Sequence, residues 1–160
     1  MAMDAYMKLI GDSQGEIHGS ETKQGHEDSI TVNAVNHGVR YPTDKLSRLP
    51  SGNRKHEPLV VTKDIDKSTP LLMNALLNNE NIRKLELRFW QPGPAGQEKQ
   101  FYTIELENAR ITDIRFEMLN NQTPENLRQK EHEHVSFVYQ KIVWTYEDGG
   151  ITAEDAVRRN

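Results

Sequence analysis

Apolar residues recur at every second position over much of this 160-residue chain. This spacing predicts β-strands that bury one face and expose the other. Two clear runs are Leu85, Leu87 and Phe89, and then Tyr102, Ile104 and Leu106. A Pro- and Gly-rich stretch at 92–96 separates these runs, so we predict a β-hairpin at this point.

Two of the predicted strands change phase along their length. Ala109 and Ile111 occupy odd positions, but the apolar residues after them, from Ile114 to Met118, occupy even ones. A similar change follows Tyr139. Because a one-residue slip moves every later side chain to the other face, we expect bulges or sharp bends near Thr112–Asp113 and Gln140–Lys141. Strands that bend in this way suit a small closed barrel, with plain two-faced exposure as the alternative.

One segment follows a helical spacing instead. Ser68-Thr69-Pro70 is a helix-start signal, and Asn78 to Asn81 is an ending. We therefore predict one helix over residues 69–78. Its i,i+4 apolar pairs are expected to pack against the barrel rather than bind a cofactor. The residues assigned to this packing are Leu72, Met73, Leu76 and Leu77.

The segment 41–57 has no apolar period and is rich in Pro, Gly and Ser. A structureless loop of this length is uncommon inside a compact domain and is usually functional or disordered. Because it lies between two predicted strands, we expect it to project. Its basic residues, between Lys45 and His56, are interpreted as a solvated loop.

Bulk properties narrow the class of protein. The formal net charge of −4 argues against a dedicated nucleic-acid-binding protein, which normally carries a basic stripe. With no cysteine, the chain has neither disulfides nor a thiol nucleophile. We expect no membrane span, because no apolar run approaches the roughly 20 residues needed. No Sec-type signal peptide is recognisable either. The length fits one domain over residues 1–160.

No motif defines a catalytic, cofactor-binding or metal site. His132 and His134 would share a face of a strand, but His-x-His names no third ligand. We interpret them, with Glu131 and Glu133, as a charged, solvated strand entry. A small metal-dependent hydrolase that uses the two histidines is one rival hypothesis. Glu105 and Glu107 share a strand face as a general acid and base could, yet a solvated face explains them equally well. No Gly-x-Ser-x-Gly or Gly-rich phosphate-binding motif is present.

Several stretches resemble one known family. They are Ile17-His18-Gly19-Ser20, Asp28-Ser29-Ile30-Thr31-Val32, residues 56–72, Leu106-Glu107-Asn108-Ala109-Arg110-Ile111, and residues 134–146. Together these stretches are similar to the Hcp family, the haemolysin-coregulated proteins of type VI secretion. They spread over nearly the whole chain in the order found in that family.

That resemblance implies a mainly β fold, a small barrel of two sheets with one helix packed alongside, and no catalysis and no cofactor. It also implies rings of six copies that stack into a tube, with sheath and tip (spike) proteins as partners. Effector proteins would be held in the lumen. The protein would be cytoplasmic before the tube is driven out and secreted afterwards.

Ring formation requires head-to-tail contacts that close after a fixed rotation. The outer strand edges and the helix are candidates for the contact within a ring. The projecting loop is the candidate for the contact between rings. Its assigned residues are Tyr41, Pro42, Asp44, Leu46, Arg48, Leu49 and Arg54. The alternative hypothesis is a monomeric barrel that binds a small ligand in its interior.

Overall fold

The computed structural model describes residues 4–157, and these form a mainly β protein with one α-helix, as predicted. The predicted hairpin is confirmed, with Pro92 at the end of one strand and Glu98 at the start of the next. The strands of this part of the chain are β1 (Asp4–Gly11), β2 (Gly15–Ile17), β3 (Ile30–Val32), β4 (Ala34–Asn36), β5 (Val39–Arg40), β6 (Lys55–His56), β7 (Leu59–Asp64), β8 (Ile82–Pro92), β9 (Glu98–Glu117), β10 (His132–Tyr146) and β11 (Ile151–Ala156). The helix α1 spans Ser68–Leu77, and a short 3-10 helix spans Pro124–Asn126.

Nine of these strands form one antiparallel sheet in the order β2-β1-β8-β9-β10-β7-β4, with β3 also on β1 and β11 also on β10. The segment 30–36 joins the two ends of this curved sheet. Its first half pairs with β1 and its second half with β7. Between the halves, the Asn33 amide donates to the Thr62 carbonyl. Strands β5 and β6 form a second, two-stranded sheet. This barrel-like arrangement agrees with the predicted fold class.

The phase changes predicted for β9 and β10 have two different structural causes. Ser136 faces Asp113 but Phe137 faces Ile111, so Thr112 is the extra residue of a β-bulge. Near Gln140–Lys141 the register between β9 and β10 is unchanged. Gln140 there lies opposite Asn108 on β9, which adopts a φ of 52°. Since asparagine tolerates this left-handed conformation better than most residues, both strands change their buried face there without an inserted residue.

Helix α1 begins and ends within one residue of the prediction. Its start differs in detail, because the carboxylate of Asp66, rather than a hydroxyl, accepts the Ser68 amide at 2.9 Å. Pro70 is then the third helical residue and remains within the first turn, where its missing N–H costs no bond. At the other end Asn79 has a φ of 49°, and the Glu80 amide donates to the Ala75 carbonyl. This is a Schellman ending with Asn in the left-handed position.

The helix buries a narrower face than predicted. Leu72 and Ala75 are fully buried in the core, and Leu76 is half-buried against it. Met73 is exposed and Leu77 is 73% exposed. Within the protomer these two side chains therefore do not pack into the core, contrary to the prediction. Successive helical residues turn by about 100°, which places the Met73/Leu77 pair on a different side from the Leu72/Leu76 pair. No helix in residues 4–157 is both long enough and apolar enough to cross a bilayer.

A charged pair lies under the start of the helix. Lys63 on β7 is 0% exposed and Glu133 on β10 is 2% exposed. The Lys63 Nζ lies 2.6 Å from a Glu133 carboxylate oxygen and 3.1 Å from Asp66, and the Thr69 hydroxyl donates to Glu133 at 3.0 Å. The interpretation of Glu133 as solvated is therefore wrong. Burial is possible because Lys63 and Thr69, both remote in sequence, satisfy its carboxylate.

Candidate assembly interface

The segment between β4 and β7 forms an ordered projection, which we call the arm (residues 39–56). Val39 pairs with His56 at its base, and Thr43 bridges Pro50 further out. At its tip the Asp44 amide donates to the Leu49 carbonyl. The prediction of a projecting segment agrees with this geometry, but the segment is a narrow ribbon rather than a structureless loop. Turn residues and prolines interrupt the alternation that would have revealed its pairing.

The tip of the arm carries exposed apolar side chains. Leu46 is 95% exposed and Leu49 is 65% exposed, and Tyr41 is exposed on the stem. Hydrogen bonds from the side chain and amide of Ser47 lower the pKa of Asp44, so Asp44 is ionised and caps the tip turn at neutral pH. An apolar group held in water on an ordered turn is typical of a contact surface.

The base of the arm is tied to the C-terminal strand β11. Asp155 accepts two hydrogen bonds from the Arg54 guanidinium, and its carboxylate lies 2.6 Å from Nε2 of His56. The Tyr139 hydroxyl on β10 lies 2.8 Å from Nδ1 of His56 and 2.8 Å from Nε2 of His37. Five side chains from four segments therefore meet at this base.

The charges of this cluster follow from its contacts. The Arg54 hydrogen bonds lower the pKa of Asp155 to about 2, against the opposing effect of burial and with further help from His56. Burial raises the pKa of Tyr139, and the negative charge of Asp155 adds to that rise. Burial also lowers the pKa of His37, and the nearby His56 lowers it further by a smaller electrostatic effect. At neutral pH the base thus holds an ionised carboxylate beside an un-ionised phenol.

Sequence reasoning missed the strand that carries Asp155. Strand β11 pairs with β10 from Lys141 to Tyr146. The signal was present in Gly149 and Gly150, whose φ values of 85° and 61° form the turn before Ile151. A pair of glycines after a strand is a hairpin signal.

The residues assigned to ring stacking divide into two groups. Tyr41, Asp44, Leu46, Arg48 and Leu49 are exposed on the stem and tip, and Pro42 is half-buried beside them. Arg54 lies at the base, where its guanidinium is engaged by Asp155 within the same protomer. Arg54 therefore positions the arm rather than extending its outer surface.

Two further apolar patches lie on other elements. The helix patch consists of Met73 and Leu77 on α1. The strand-end patch consists of Phe116 and Met118 at the end of β9, with Leu127 in the following loop, and all three are exposed. Sequence patterning had placed the helix pair in the protomer core, and it did not single out the second patch.

The candidate chemical residues are placed as follows. Each of Glu105 and Glu107 lies near a lysine, since Lys84 is 3.7 Å from Glu105 and Lys141 is 3.9 Å from Glu107. His132 and His134 do share a face. Glu117 on the neighbouring strand supplies the third donor that the sequence left undefined, with the donor atoms of all three within 4.8 Å of one another.

The strands and the arm together define the class of fold: a curved β-sheet whose interior is filled by apolar side chains, with an apolar-tipped arm projecting from it. The family model described as "Type VI secretion system effector, Hcp" matches residues 6–146 of the chain. The chain therefore belongs to the Hcp family of the type VI secretion system, which is a family of structural, secreted proteins. The resemblance drawn from its sequence is confirmed.

Individual relatives agree. The chain is 40% identical over 164 residues to a protein of Pseudomonas aeruginosa named "Major exported protein". The aligned region covers 97% of this chain and 95% of the relative. A crystal structure of an Hcp protein superposes with a TM-score of 0.93 at 35% identity, covering 99% of this chain and all of the other. The secreted protein Hcp3 of Pseudomonas aeruginosa superposes with a TM-score of 0.81 at 34% identity, again covering 99% of this chain and all of the other.

Proposed function

We propose that this protein is a tube subunit of a type VI secretion system, in which six copies close into a ring and rings stack through the arm. The observation that carries the proposal is the arm itself, an ordered ribbon with Leu46 and Leu49 exposed at its tip. In a monomer this surface would be an apolar liability in water. Between two rings it would be buried.

Ring closure requires two different surfaces on each copy, because a heterologous contact joins unlike patches. The helix patch and the strand-end patch meet this requirement, since they consist of different residues on different elements. We propose that they lie in the contact between neighbouring copies within a ring. The contacts made by Met73 and Leu77 would then stabilise the assembly rather than the protomer.

The anchoring of the arm supports its assignment to stacking. Asp155 holds Arg54 and His56 at the base, so the tip is presented in a defined position before a second ring arrives. Pre-organisation lowers the entropy cost of association. We expect tube growth to depend on this anchor as well as on the tip.

The outward face of β8 and β9 carries charges of both signs that largely pair with one another. Lys84 lies 2.9 Å from Glu86, and the Arg88 guanidinium also contacts Glu86. Such a face is hydrophilic without a strong single-sign field. We propose it as a candidate lining for a lumen that holds effector proteins.

The remaining expectations form part of the same proposal. The chain would act as one domain with a structural rather than catalytic role. It would be cytoplasmic before export, and sheath and tip proteins would be its partners. A monomeric ligand-binding barrel is less well supported, because residues such as Met7, Leu87, Leu106 and Phe137 fill the interior.

Site-specific photo-crosslinking tests the two contact types separately. A photoreactive residue at Leu77 should link neighbouring copies in isolated rings. The same residue at Leu46 should form links only when rings stack into tubes. Links from Leu46 in isolated rings, or none in tubes, would contradict the assignment of the arm to stacking.

A further inference from the structure

Two histidines and a glutamate converge where β9 ends and β10 begins. The β9–β10 ladder places His132 directly opposite Glu117, and His134 follows two residues later on the same face. The Nε2 of His132 lies 3.0 Å from a Glu117 carboxylate oxygen, and the two imidazole rings are 5.3 Å apart and nearly perpendicular. All three side chains therefore offer a donor atom to one point in space.

The second nitrogen of each ring is already engaged. His132 Nδ1 lies 2.9 Å from the Lys130 carbonyl. Because a carbonyl only accepts, this nitrogen carries the hydrogen, and the lone pair of a neutral ring is then on Nε2. His134 Nδ1 lies 2.8 Å from the Thr62 hydroxyl, which can accept its hydrogen and leave Nε2 available in the same way. Metal-binding histidines are commonly oriented by an outer partner of this kind.

We propose that Glu117, His132 and His134 bind one Zn²⁺ ion, or a first-row ion of similar preference such as Ni²⁺ or Cu²⁺. Two imidazole nitrogens and one carboxylate oxygen are a known donor set for Zn²⁺ with an open fourth position. Imidazole ligands disfavour the hard ions Mg²⁺ and Ca²⁺, which prefer oxygen. In this structure the Nε2 of His132 also carries a hydrogen, because the Glu117 carboxylate can only accept. The ion would take the place of that hydrogen, which would leave to solvent as a proton.

The surroundings allow an ion to enter and ligands to adjust. Glu117 is exposed, so its side chain can rotate to shorten its distance to a shared ion. A cleft of about 390 Å³ adjoins the site at His132 and is also lined by Thr62, Asp64 and Lys130. Water or another donor can reach the fourth position from this side. The site is half-enclosed rather than a random surface pair.

A bound ion would join the two strands on either side of the 118–131 loop. That loop carries Met118 and Leu127 of the strand-end patch. The ion would therefore fix the base of this patch and slow local opening of the loop. This inference stands on the protomer geometry alone and does not depend on ring or tube formation.

The test is metal titration of chelator-treated protein that carries no histidine tag. We expect one Zn²⁺ per protomer by calorimetry, and a visible Co²⁺ spectrum of a low-coordinate site. His132→Ala or His134→Ala should weaken binding at least about 100-fold, since loss of an outer partner alone typically costs 10–100-fold. Thr62→Val should weaken binding about 10-fold through the orientation of His134. Glu117→Gln, at an exposed position, should fold normally and still lose affinity.

The matched control is His18→Ala, which removes another histidine that lies 3.0 Å from a carboxylate, that of Glu16, but has no second imidazole beside it. Its Zn²⁺ affinity should equal that of the wild type. The proposal is overturned if the wild type shows no saturable binding, or if Glu117→Gln, Thr62→Val and the histidine variants bind as tightly as the wild type. Equal loss in His18→Ala would also overturn it.

Discussion

The buried Lys63–Glu133 pair gives the sharpest test of how the fold is held together. Replacing Lys63 with Met keeps a side chain of similar length and volume but removes the ammonium group. The buried Glu133 carboxylate then has only the Thr69 hydroxyl as a hydrogen-bond partner. Removing one partner of a buried ion pair typically costs about 3–5 kcal/mol, because the other charge stays buried without compensation. We expect Lys63→Met to lower the free energy of unfolding by that amount.

Urea unfolding, followed by tryptophan fluorescence at a fixed protomer concentration, measures this loss. With a urea m-value of about 2 kcal/mol/M, the midpoint should fall by about 2 M. The control is Lys67→Met, whose ion pair with Asp28 is exposed on both sides and should contribute at most about 0.5 kcal/mol.

The double variant Lys63→Met/Glu133→Leu separates charge from packing. It removes both charges, so most of the lost stability should return. If Lys63→Met loses less than about 1 kcal/mol, or no more than Lys67→Met, the pair does not lock the helix start to β7 and β10 as described.

Three further outcomes are expected. Leu72→Ala should lower the free energy of unfolding by about 2–5 kcal/mol and Leu77→Ala should change protomer stability by less than about 0.5 kcal/mol; similar losses in both would show that the buried face of α1 is misassigned. Asp155→Asn should speed tryptic cleavage of the arm at pH 7. Because contacts with Arg54 and His56 lower the pKa of Asp155 to about 2, their contribution is complete above its ordinary value of 3.8 and is lost as the pH falls through about 2. The gap in melting temperature between this variant and the wild type should narrow over that range, and a gap as wide at pH 2 as at pH 7 would refute the electrostatic account. Deleting residues 44–49 should leave the number of copies per ring unchanged and stop tube growth in electron micrographs; tubes of normal length would exclude the tip from stacking.

Local pattern was enough to predict the hairpin before Glu98, the bulge at Thr112 and the bounds of α1. Each depends on residues that are close in sequence, so alternation, helical spacing and turn residues report them directly. Which stripe of α1 faces the core could not be read in the same way. Leu72/Leu76 and Met73/Leu77 are equally apolar i,i+4 pairs, and only the sheet beneath the helix selects between them.

The features that sequence reasoning missed depend on partners far along the chain. Glu133 looked like a surface acid until Lys63, which lies 70 residues away, was found against it. Glu117 became a possible ligand only when the β9–β10 register placed it opposite His132. A single sequence does not give register between strands, because any shift by two residues keeps the same faces buried.

The central claim is that this protein works by contacting its own copies. Light scattering on the tag-free protein at native conditions measures the mass in solution directly. A ring of six 18.4 kDa protomers predicts a mass of about 110 kDa, with annular particles in micrographs of the same sample. A stable mass of one protomer, unchanged as concentration rises, would contradict the account.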